Sequence, residues 1–312
     1  MAQGTEVLAW RNRDVIDILG FTKGELLELF SETDKFVEGN RDLGEPLKHK
    51  VIATAFFEPS TRTRLSFSSA ALRLGAKVID LSAEASSLMK GESFADTIRM
   101  LEAYSDLIVV RHPSEGAALF ASEISSKPVV NGGDGSQHHP TQAMLDVYTV
   151  NRLKGGVDGL TYALVGDIKY ARTATSFLYA LTKFKPEKVY AVCPDTLRPR
   201  VEVLKRLESL GLRVDLGVEL EDVVGEVDVV YVTRIQKERF PDQSEYEKVK
   251  GSYRLGNLIM EKAKKDCVIL HPLPRVEELP YELDSTPHAA YFKQAAWGVP
   301  LRMALLNLIL GG

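Results

Sequence analysis

Short apolar runs alternate with amphipathic segments along most of the chain, and this alternation is the strongest constraint on its fold. The runs are rich in Val, Ile and Leu, and a polar segment follows most of them. Alternation of this kind predicts an α/β protein with parallel sheets and helices on both faces. The predicted strands are residues 51–57, 77–81, 107–110 and 128–130 in the first half, and 162–165, 189–192, 229–232 and 268–270 in the second.

The amphipathic segments predict helices between these strands. A long helix over residues 142–153 ends at Gly155-Gly156, and we place the division between two α/β domains near its start. A chain of 312 residues is long enough for two domains with separate cores. A final apolar helix is predicted over residues 299–310, with no strand after it. The sequence does not determine which of the two domains this helix caps. The other predicted helices are residues 93–104, 115–124, 172–182, 200–210 and 257–265.

The composition is that of a soluble globular protein. Apolar residues make up 45% and charged residues 26%, and a net charge of −4 gives no global basic field of the kind that marks nucleic-acid binders. No signal-peptide pattern opens the sequence, and no apolar run approaches membrane-spanning length. We therefore expect a cytoplasmic enzyme or binding protein without nucleic-acid or membrane partners.

The cysteines and histidines do not predict a metal site or a disulfide framework. Cys193 and Cys267 both lie in apolar runs, where packing is the expected role. The six histidines show no ligand-like spacing with cysteine, and the adjacent pair His138-His139 does not form one face of a helix. We expect no metal.

The segment 60–64, Ser-Thr-Arg-Thr-Arg, has the composition of an anion site at the start of a helix. It follows the strand 51–57 and precedes a helical segment, 65–74, so it occupies a strand-to-helix turn. Unpaired backbone N–H groups and the helix dipole favour an anion there, and Ser, Thr and Arg side chains donate to phosphate oxygens. A simple N-cap explains one hydroxyl group but not two arginines interleaved with three hydroxyl residues.

Polar clusters also follow other predicted strands. The strands of an open parallel sheet present their carboxyl ends along one edge, where ligands bind. Each cluster alone has a plain structural explanation: Arg111 or Arg172 would pair with a surface carboxylate, and His139 would be a satisfied core histidine. Their repetition at strand ends favours a shared site. The clusters are residues 86–92, 111–113, 131–142, 166–172, 233–239 and 271–275.

The two halves of the chain offer different chemistry. Arg62, Arg111 and His139, with the hydroxyl groups, suit a phosphate and a carbonyl, whereas Arg172 and Arg234 suit carboxylates. The sequence lacks a dinucleotide-binding glycine fingerprint, a Walker A lysine motif and an evident Ser-His-Asp or Cys-His arrangement. The pattern predicts direct group transfer between two bound anions, accelerated by positioning and charge stabilisation.

Four motifs, in order, resemble those of the aspartate/ornithine carbamoyltransferase family. They are Phe-Glu-Pro-Ser-Thr-Arg-Thr-Arg at 57–64, Arg-His-Pro at 111–113, His-Pro-Thr-Gln at 139–142 and His-Pro-Leu-Pro at 271–274. The resemblance covers most of the chain. It implies two doubly wound domains with an active site in the cleft between them. The carbamoyl phosphate-binding domain would comprise residues 1–140 and 297–312, and the aspartate-binding domain residues 141–296.

The resemblance also implies roles for individual residues. Glu58 matches an acidic residue that orients the aspartate-binding arginines on domain closure, and Ser86 and Lys90 match a loop that enters a neighbouring subunit's active site. The implied catalytic residues are Arg62, Thr63, Lys90, Arg111 and His139. The implied carbamoyl phosphate contacts are Ser60, Thr61, Arg62, Thr63, Ser86, Lys90, Arg111, His139, Gln142 and Leu273; the aspartate contacts are Lys90, Arg172, Arg234, Gln236 and Pro274.

The same resemblance implies two kinds of contact with the carbamoyl group itself. Thr63, Arg111 and His139 match donors to its carbonyl oxygen, whereas Gln142 and the Leu273 carbonyl match contacts to its amino group. Attack by a neutral amine gives a tetrahedral oxyanion, and each donor aimed at that oxygen is typically worth ~3–4 kcal/mol. The departing phosphate can accept the amine proton, so no protein group is required as general base.

The acceptor half favours L-aspartate over ornithine. Residues 233–239, Thr-Arg-Ile-Gln-Lys-Glu-Arg, supply positive charge for a second carboxylate, and ornithine relatives typically carry His-Cys-Leu-Pro in place of His-Pro-Leu-Pro. We expect N-carbamoyl-L-aspartate as product, in an early step of pyrimidine biosynthesis, without a cofactor. The family implies a homotrimer with shared active sites and possible regulatory chains. A different amino-acid acceptor and a non-catalytic anion-binding relative are the alternatives.

Overall fold

The computed structural model describes residues 10–39, 44–82, 90–240 and 242–311. The chain divides into two compact units, each containing a parallel β-sheet. The first unit comprises Met1–Thr141 together with Trp297–Gly312, and the second comprises Gln142–Ala296. The first unit is therefore discontinuous in sequence.

Helices and strands alternate in the first unit: α1 (Lys23–Val37), β1 (Val51–Phe56), α2 (Arg62–Arg73), β2 (Lys77–Ser82), α3 (Phe94–Tyr104), β3 (Leu107–His112), α4 (Ala117–Ile124) and β4 (Val129–Asp134). The sheet order is β2–β1–β3–β4, and every pairing is parallel. Consecutive residues 52–55 of β1 are buried, so both faces of the sheet are covered. The strand order reverses between β1 and β3, which makes that position a switch point.

The second unit contains β5 (Thr161–Gly166), α6 (Arg172–Leu181), β6 (Lys188–Val192), α7 (Val201–Ser209), β7 (Asp215–Leu216), α8 (Leu220–Val223), β8 (Val229–Thr233), α9 (Gln243–Val249), α10 (Asn257–Met260) and β9 (Val268–Leu270). Its sheet has the order β7–β6–β5–β8–β9, again with parallel pairings. The switch point lies between β5 and β8. The core contains Ala163, Val165, Val230 and Val232.

Two further helices, α5 (Pro140–Lys154) and α11 (Tyr291–Leu310), contain the positions where the units divide. The C-terminal part of α11 belongs to the first unit, so the final helix covers the core of that unit. Asn12 N–H donates to the Ile309 carbonyl at 3.0 Å, and Leu301 and Leu305 are fully buried. The guanidinium of Arg302 lies 5.0 Å from the centre of the Phe67 ring.

The predicted parallel α/β fold is confirmed, and every predicted strand is present. Two helix predictions were wrong in length. The helix predicted over 299–310 begins at Tyr291, because it continues through Pro300 with buried residues on both sides. The helix predicted over 257–265 ends at Met260, since the N–H groups of Lys262 and Ala263 bond three residues back and turn the chain toward β9.

Helix α1 was not predicted, although it has a clear local signal. Thr22 accepts a hydrogen bond from Glu25 N–H, and the Glu25 carboxylate accepts one from Thr22 N–H at 2.7 Å, forming a capping box. Leu26, Leu29 and Phe30 then form the buried face of the helix. The pair Thr22 and Glu25 followed by this spacing would have predicted the element.

Candidate active site

The N-terminus of α2 carries the residues predicted to bind phosphate. Thr61 is the N-cap residue, but its side chain makes no capping hydrogen bond, so the simple capping explanation does not account for this hydroxyl group. Thr61 and Arg62 are exposed, Ser60 is half-buried and Thr63 is buried. The first turn thus presents hydroxyl groups and a guanidinium beside helix N-terminal N–H groups, an arrangement suited to an anion.

Arg64 has a structural role in the same turn. Its Nε donates to Asp80 Oδ1 at 2.8 Å, and its Nη2 makes a second contact to the same carboxylate. Thr54 Oγ1 also donates to Asp80 Oδ1, at 2.6 Å. The composition of the turn predicts two arginines at an anion site, whereas Arg64 joins α2 to β2 in the structure.

Two side-chain contacts bring predicted residues together at the β1/β3 switch point. Arg111 Nε donates to Glu58 Oε1 at 2.8 Å, and both side chains are largely buried. Thr63 Oγ1 and His139 Nε2 lie 3.3 Å apart, and both residues are buried. Glu58 therefore orients Arg111 in this structure, and its role in domain closure stays a prediction.

The C-terminal end of β4 and the polar segment that follows it are held by their own hydrogen bonds. Asn131 Nδ2 donates to Asp134 Oδ1 at 2.9 Å, and Asn131 Oδ1 accepts from Gly133 N–H at 2.7 Å. Asp134 N–H donates to the His138 carbonyl at 3.1 Å. Asn131 and Asp134 thus fix the path of the chain immediately before His139.

In the second unit, β5 ends at a glycine that the β5/β8 switch point requires. Gly166 has a φ of +107°, and a Cβ atom there would lie 2.2 Å from the Thr233 carbonyl oxygen. A side chain would force apart the two strand ends that carry the next polar residues. Glycine is needed both for the backbone conformation and for the close approach.

Asp167 follows this glycine and is fully buried. Its carboxylate accepts from Tyr170 N–H at 2.8 Å and from Gln236 N–H at 3.0 Å, joining the β5 and β8 loops. Burial raises the pKa of Asp167 to about 6, although the hydrogen bonds and the charge of Arg234 oppose the shift. Sequence reasoning included Asp167 in the polar cluster 166–172 but gave it no role of its own, although an acidic residue directly after a buried strand was a signal for this role.

The predicted aspartate-binding residues lie on the elements that follow β5 and β8. Arg172 begins α6 and is buried, and Gln236 Nε2 donates to the Arg234 carbonyl at 3.1 Å. Arg234 donates from Nη1 to Glu238 Oε2 at 3.0 Å and contacts the other oxygen through Nη2. Burial raises the pKa of Glu238, but the hydrogen bond and charge of Arg234 outweigh it and hold that pKa low. Sequence reasoning missed Glu238, although its i, i+4 spacing from Arg234 was a signal.

The His-Pro-Leu-Pro segment after β9 is anchored by His271. Its Nδ1 accepts from Leu273 N–H at 2.8 Å, and its Nε2 lies 2.8 Å from Glu278 Oε1. His271 and Glu278 are both buried. Leu273 is half-buried with a φ of +55°, an uncommon conformation for a residue with a side chain, and the peptide bond to Pro274 is cis.

The remaining predicted residues differ in burial. Gln142 on α5 is buried and donates from Nε2 to Asp146 Oδ1 at 2.7 Å. Lys90 is exposed, and Ser86 lies outside the described residues. Within the described ranges, no cluster of three or more His, Cys, Asp or Glu side chains is arranged to hold a metal ion. No helix in that part of the chain combines the length and apolar character needed to cross a membrane.

Two family models together match nearly all of the chain. Residues 13–152 match the carbamoyl-P binding domain of aspartate/ornithine carbamoyltransferase, and residues 158–309 match its Asp/Orn binding domain. A curated relative, the aspartate carbamoyltransferase catalytic subunit of Thermofilum pendens, is 55% identical over 301 residues, which cover 96% of each chain.

Solved structures agree with these matches. The catalytic subunit of M. jannaschii aspartate transcarbamoylase is 47% identical, with a TM-score of 0.85 over 95% of this chain and 97% of that one. The Trypanosoma cruzi aspartate transcarbamoylase in complex with carbamoyl phosphate and aspartate is 35% identical. Its TM-score is 0.92 over 98% of this chain and 99% of that one.

Proposed function

Because the chain belongs to the aspartate/ornithine carbamoyltransferase family, we propose that it transfers the carbamoyl group of carbamoyl phosphate to the α-amine of L-aspartate. The products are N-carbamoyl-L-aspartate and phosphate, in an early step of pyrimidine biosynthesis. The relative with both substrates bound supports this assignment. The cytoplasmic location expected from the sequence stays a prediction.

The observation that carries the proposal is the placement of basic side chains at both switch points. Arg62 and Arg111 lie on the elements at β1/β3, beside the helix N-terminus suited to phosphate. Arg172 and Arg234 lie on the elements that follow β5 and β8, where they suit the two carboxylates of aspartate.

The reaction is a direct displacement at the carbamoyl carbon. The neutral α-amine attacks this carbon, the bond from carbon to the phosphate oxygen breaks, and the amine proton passes to the departing phosphate. Negative charge collects on the carbamoyl oxygen in the intermediate, where Thr63, Arg111 and His139 donate hydrogen bonds. The contact of Arg111 with Glu58 keeps its guanidinium oriented before substrate binds.

Each substrate has its own set of contacts in this proposal. Phosphate binds at the first turn of α2, and the carbamoyl amino group donates to Gln142 and the Leu273 carbonyl. The aspartate carboxylates bind Arg172, Arg234 and Gln236, with the Pro274 carbonyl nearby. The further phosphate contacts are Ser60, Thr61 and Arg62, completed by Ser86 and Lys90.

An acceptor panel tests the proposed reaction. The purified chain is given carbamoyl phosphate with L-aspartate, L-ornithine or N-acetyl-L-ornithine, and both phosphate release and carbamoylated product are measured. We expect carbamoyl aspartate from L-aspartate alone. Arg62→Ala should abolish most of this activity, whereas Arg73→Gln, which removes a charge from the other end of α2, should not. Product from another amine but not from aspartate would refute the acceptor assignment.

The same assay separates catalysis from simple anion binding. A non-catalytic relative would bind carbamoyl phosphate in calorimetry without releasing carbamoylated product in the presence of any acceptor. The presence of Arg62, Lys90 and His139 favours the enzyme. Binding without turnover would establish the alternative.

We also propose a homotrimer in which Ser86 and Lys90 complete the active site of a neighbouring subunit, with regulatory chains possible. The exposure of Lys90 is compatible with this role. Inactive Lys90→Ala and Arg62→Ala proteins are mixed, and subunit exchange is verified with a mass tag. Recovered activity is expected because some hybrid sites contain both native residues. No recovery after verified exchange would exclude shared sites.

A further inference from the structure

Asp146, on α5 in the second unit, is a fully buried carboxyl group. It accepts hydrogen bonds from Gln142 on the same helix and from Tyr231 and Gln294, which lie 85 and 148 residues away along the chain. Its Oδ1 accepts from Gln142 Nε2 at 2.7 Å and from Gln294 Nε2 at 2.6 Å. Its Oδ2 accepts from the Tyr231 hydroxyl at 2.8 Å. Burial of a carboxyl group is costly unless it is hydrogen-bonded, so these contacts fix its position.

The network determines which end of the Gln142 amide faces Asp146. Gln294 Oε1 accepts from His271 N–H at 2.9 Å, so its other end, the NH₂ group, must point to Asp146. Asp146 Oδ1 is therefore an acceptor, and the end of Gln142 beside it must also be an NH₂ group, because two oxygens would repel. Oδ1 is an acceptor in this way both in a carboxylate and in a carboxylic acid protonated on Oδ2. Gln142 consequently directs its Oε1 away from Asp146.

The same carboxyl group reaches the His-Pro-Leu-Pro segment. Gln294 connects Asp146 to His271 N–H, and His271 Nδ1 in turn accepts from Leu273 N–H at 2.8 Å. A chain of hydrogen bonds thus runs from Asp146 to the residue whose carbonyl is the second proposed contact of the carbamoyl amino group. One buried group fixes both proposed acceptors, the Gln142 Oε1 and the Leu273 carbonyl.

We propose that Asp146 is a positioning residue that makes the enzyme select carbamoyl phosphate over acyl phosphates of the same shape. The inference rests on the proposed function, because it uses the assignment of Gln142 and Leu273 to the amino group. A carbamoyl group offers two N–H donors where an acetyl group has a methyl. If the Gln142 amide were flipped, its NH₂ group would face the carbamoyl amino group, and two hydrogen-bond donors would oppose each other. Selectivity for carbamoyl phosphate therefore depends on the amide orientation that Asp146 fixes.

The test compares carbamoyl phosphate with acetyl phosphate in Asp146→Leu. The KM for carbamoyl phosphate and the Ki of acetyl phosphate as a competitive inhibitor are measured at saturating aspartate, and their ratio gives the selectivity. We expect the wild type to prefer carbamoyl phosphate and Asp146→Leu to lose about tenfold of this preference, mostly through a raised KM. General loss of packing would change stability or kcat without changing the ratio.

Three further variants make the test specific. Asp146→Asn should retain the wild-type preference, because its carbonyl oxygen accepts from both glutamines while its NH₂ group donates to the Tyr231 oxygen. Tyr231→Phe removes the bond to Oδ2 and the hydrogen bond between Tyr231 and Thr173, but keeps both glutamine contacts; it should lower the melting temperature while leaving the ratio within about twofold. If Asp146→Leu does not fold, Gln294→Met releases the His271 segment from Asp146 and should lower the preference several-fold.

The outcomes separate this inference from the proposed function. Absence of carbamoyl aspartate in the wild-type assay would refute the function. Normal turnover with equal affinity for the two phosphates, or an unchanged ratio in folded Asp146→Leu or Gln294→Met, would refute the role of Asp146 alone. An Asp146→Asn protein with the selectivity of Asp146→Leu would contradict the orientation argument.

Discussion

The buried Asp167 carboxyl group gives a prediction about the dependence of stability on pH. Burial raises its pKa from 3.8 to about 6, although its backbone hydrogen bonds and Arg234 lower it. The unfolded chain titrates this group near 3.8, so between the two values the folded chain binds more protons. The contribution of Asp167 to the free energy of unfolding is therefore largest below about pH 4 and falls by about 3 kcal/mol as the pH rises past 6.

Asp167→Asn removes this titration and adds a penalty independent of pH, because an amide oxygen cannot replace both carboxylate oxygens facing Tyr170 and Gln236. The free energy of unfolding of the variant minus that of the wild type should become more positive by about 2 kcal/mol between pH 4 and pH 7. Denaturant titrations followed by circular dichroism at several pH values measure this difference. Glu261→Gln, at an exposed position, serves as the control. A difference for Asp167→Asn that stays constant within about 1 kcal/mol would refute the reasoning.

Three other substitutions test the site and the core. Thr63→Val should lower kcat about 100-fold or more by removing an oxyanion donor, measured by product formation, whereas Ser69→Ala on the same helix should not. Glu238→Gln should raise the KM for aspartate about fivefold, because the two-point contact that orients Arg234 is weakened; an unchanged KM would show that this orientation is unimportant. Leu164→Ala in β5, at 1% exposure, should cost about 2–5 kcal/mol of unfolding free energy. Leu258→Ala, at 77% exposure, should cost less than about 0.5 kcal/mol. Equal losses for the two variants in melting experiments would contradict the core assignment.

The strands could be predicted because the physics that forms them is local. A strand of a parallel sheet is covered on both faces and therefore reads as an unbroken apolar run, as in β5 and β8. The ends of α10 and α11 could not be predicted, since they depend on where the chain must turn toward β9 and on buried residues around Pro300. Helix propensity near a proline does not contain that information.

The positions of the basic site residues followed from the strands, but their partners did not. Arg62, Arg111 and Arg234 each lie just beyond or at the end of a strand, where parallel topology directs ligand-binding residues. The contact of Arg64 with Asp80 and that of Asp146 with Gln294, 148 residues apart, depend on the tertiary fold. Composition at the turn could not show that Arg64 contacts Asp80.

The discontinuity of the first unit has a consequence for the order of events during synthesis. Residues 142–296 leave the ribosome as one continuous segment, whereas Leu301 and Leu305, which fill the core of the first unit, follow after them. Until Ile309 has emerged, its carbonyl cannot accept the hydrogen bond from Asn12 N–H. The half of the protein that is translated first therefore cannot complete its core until the whole second unit has been made, and the apolar surface that Leu301 and Leu305 cover stays exposed until then.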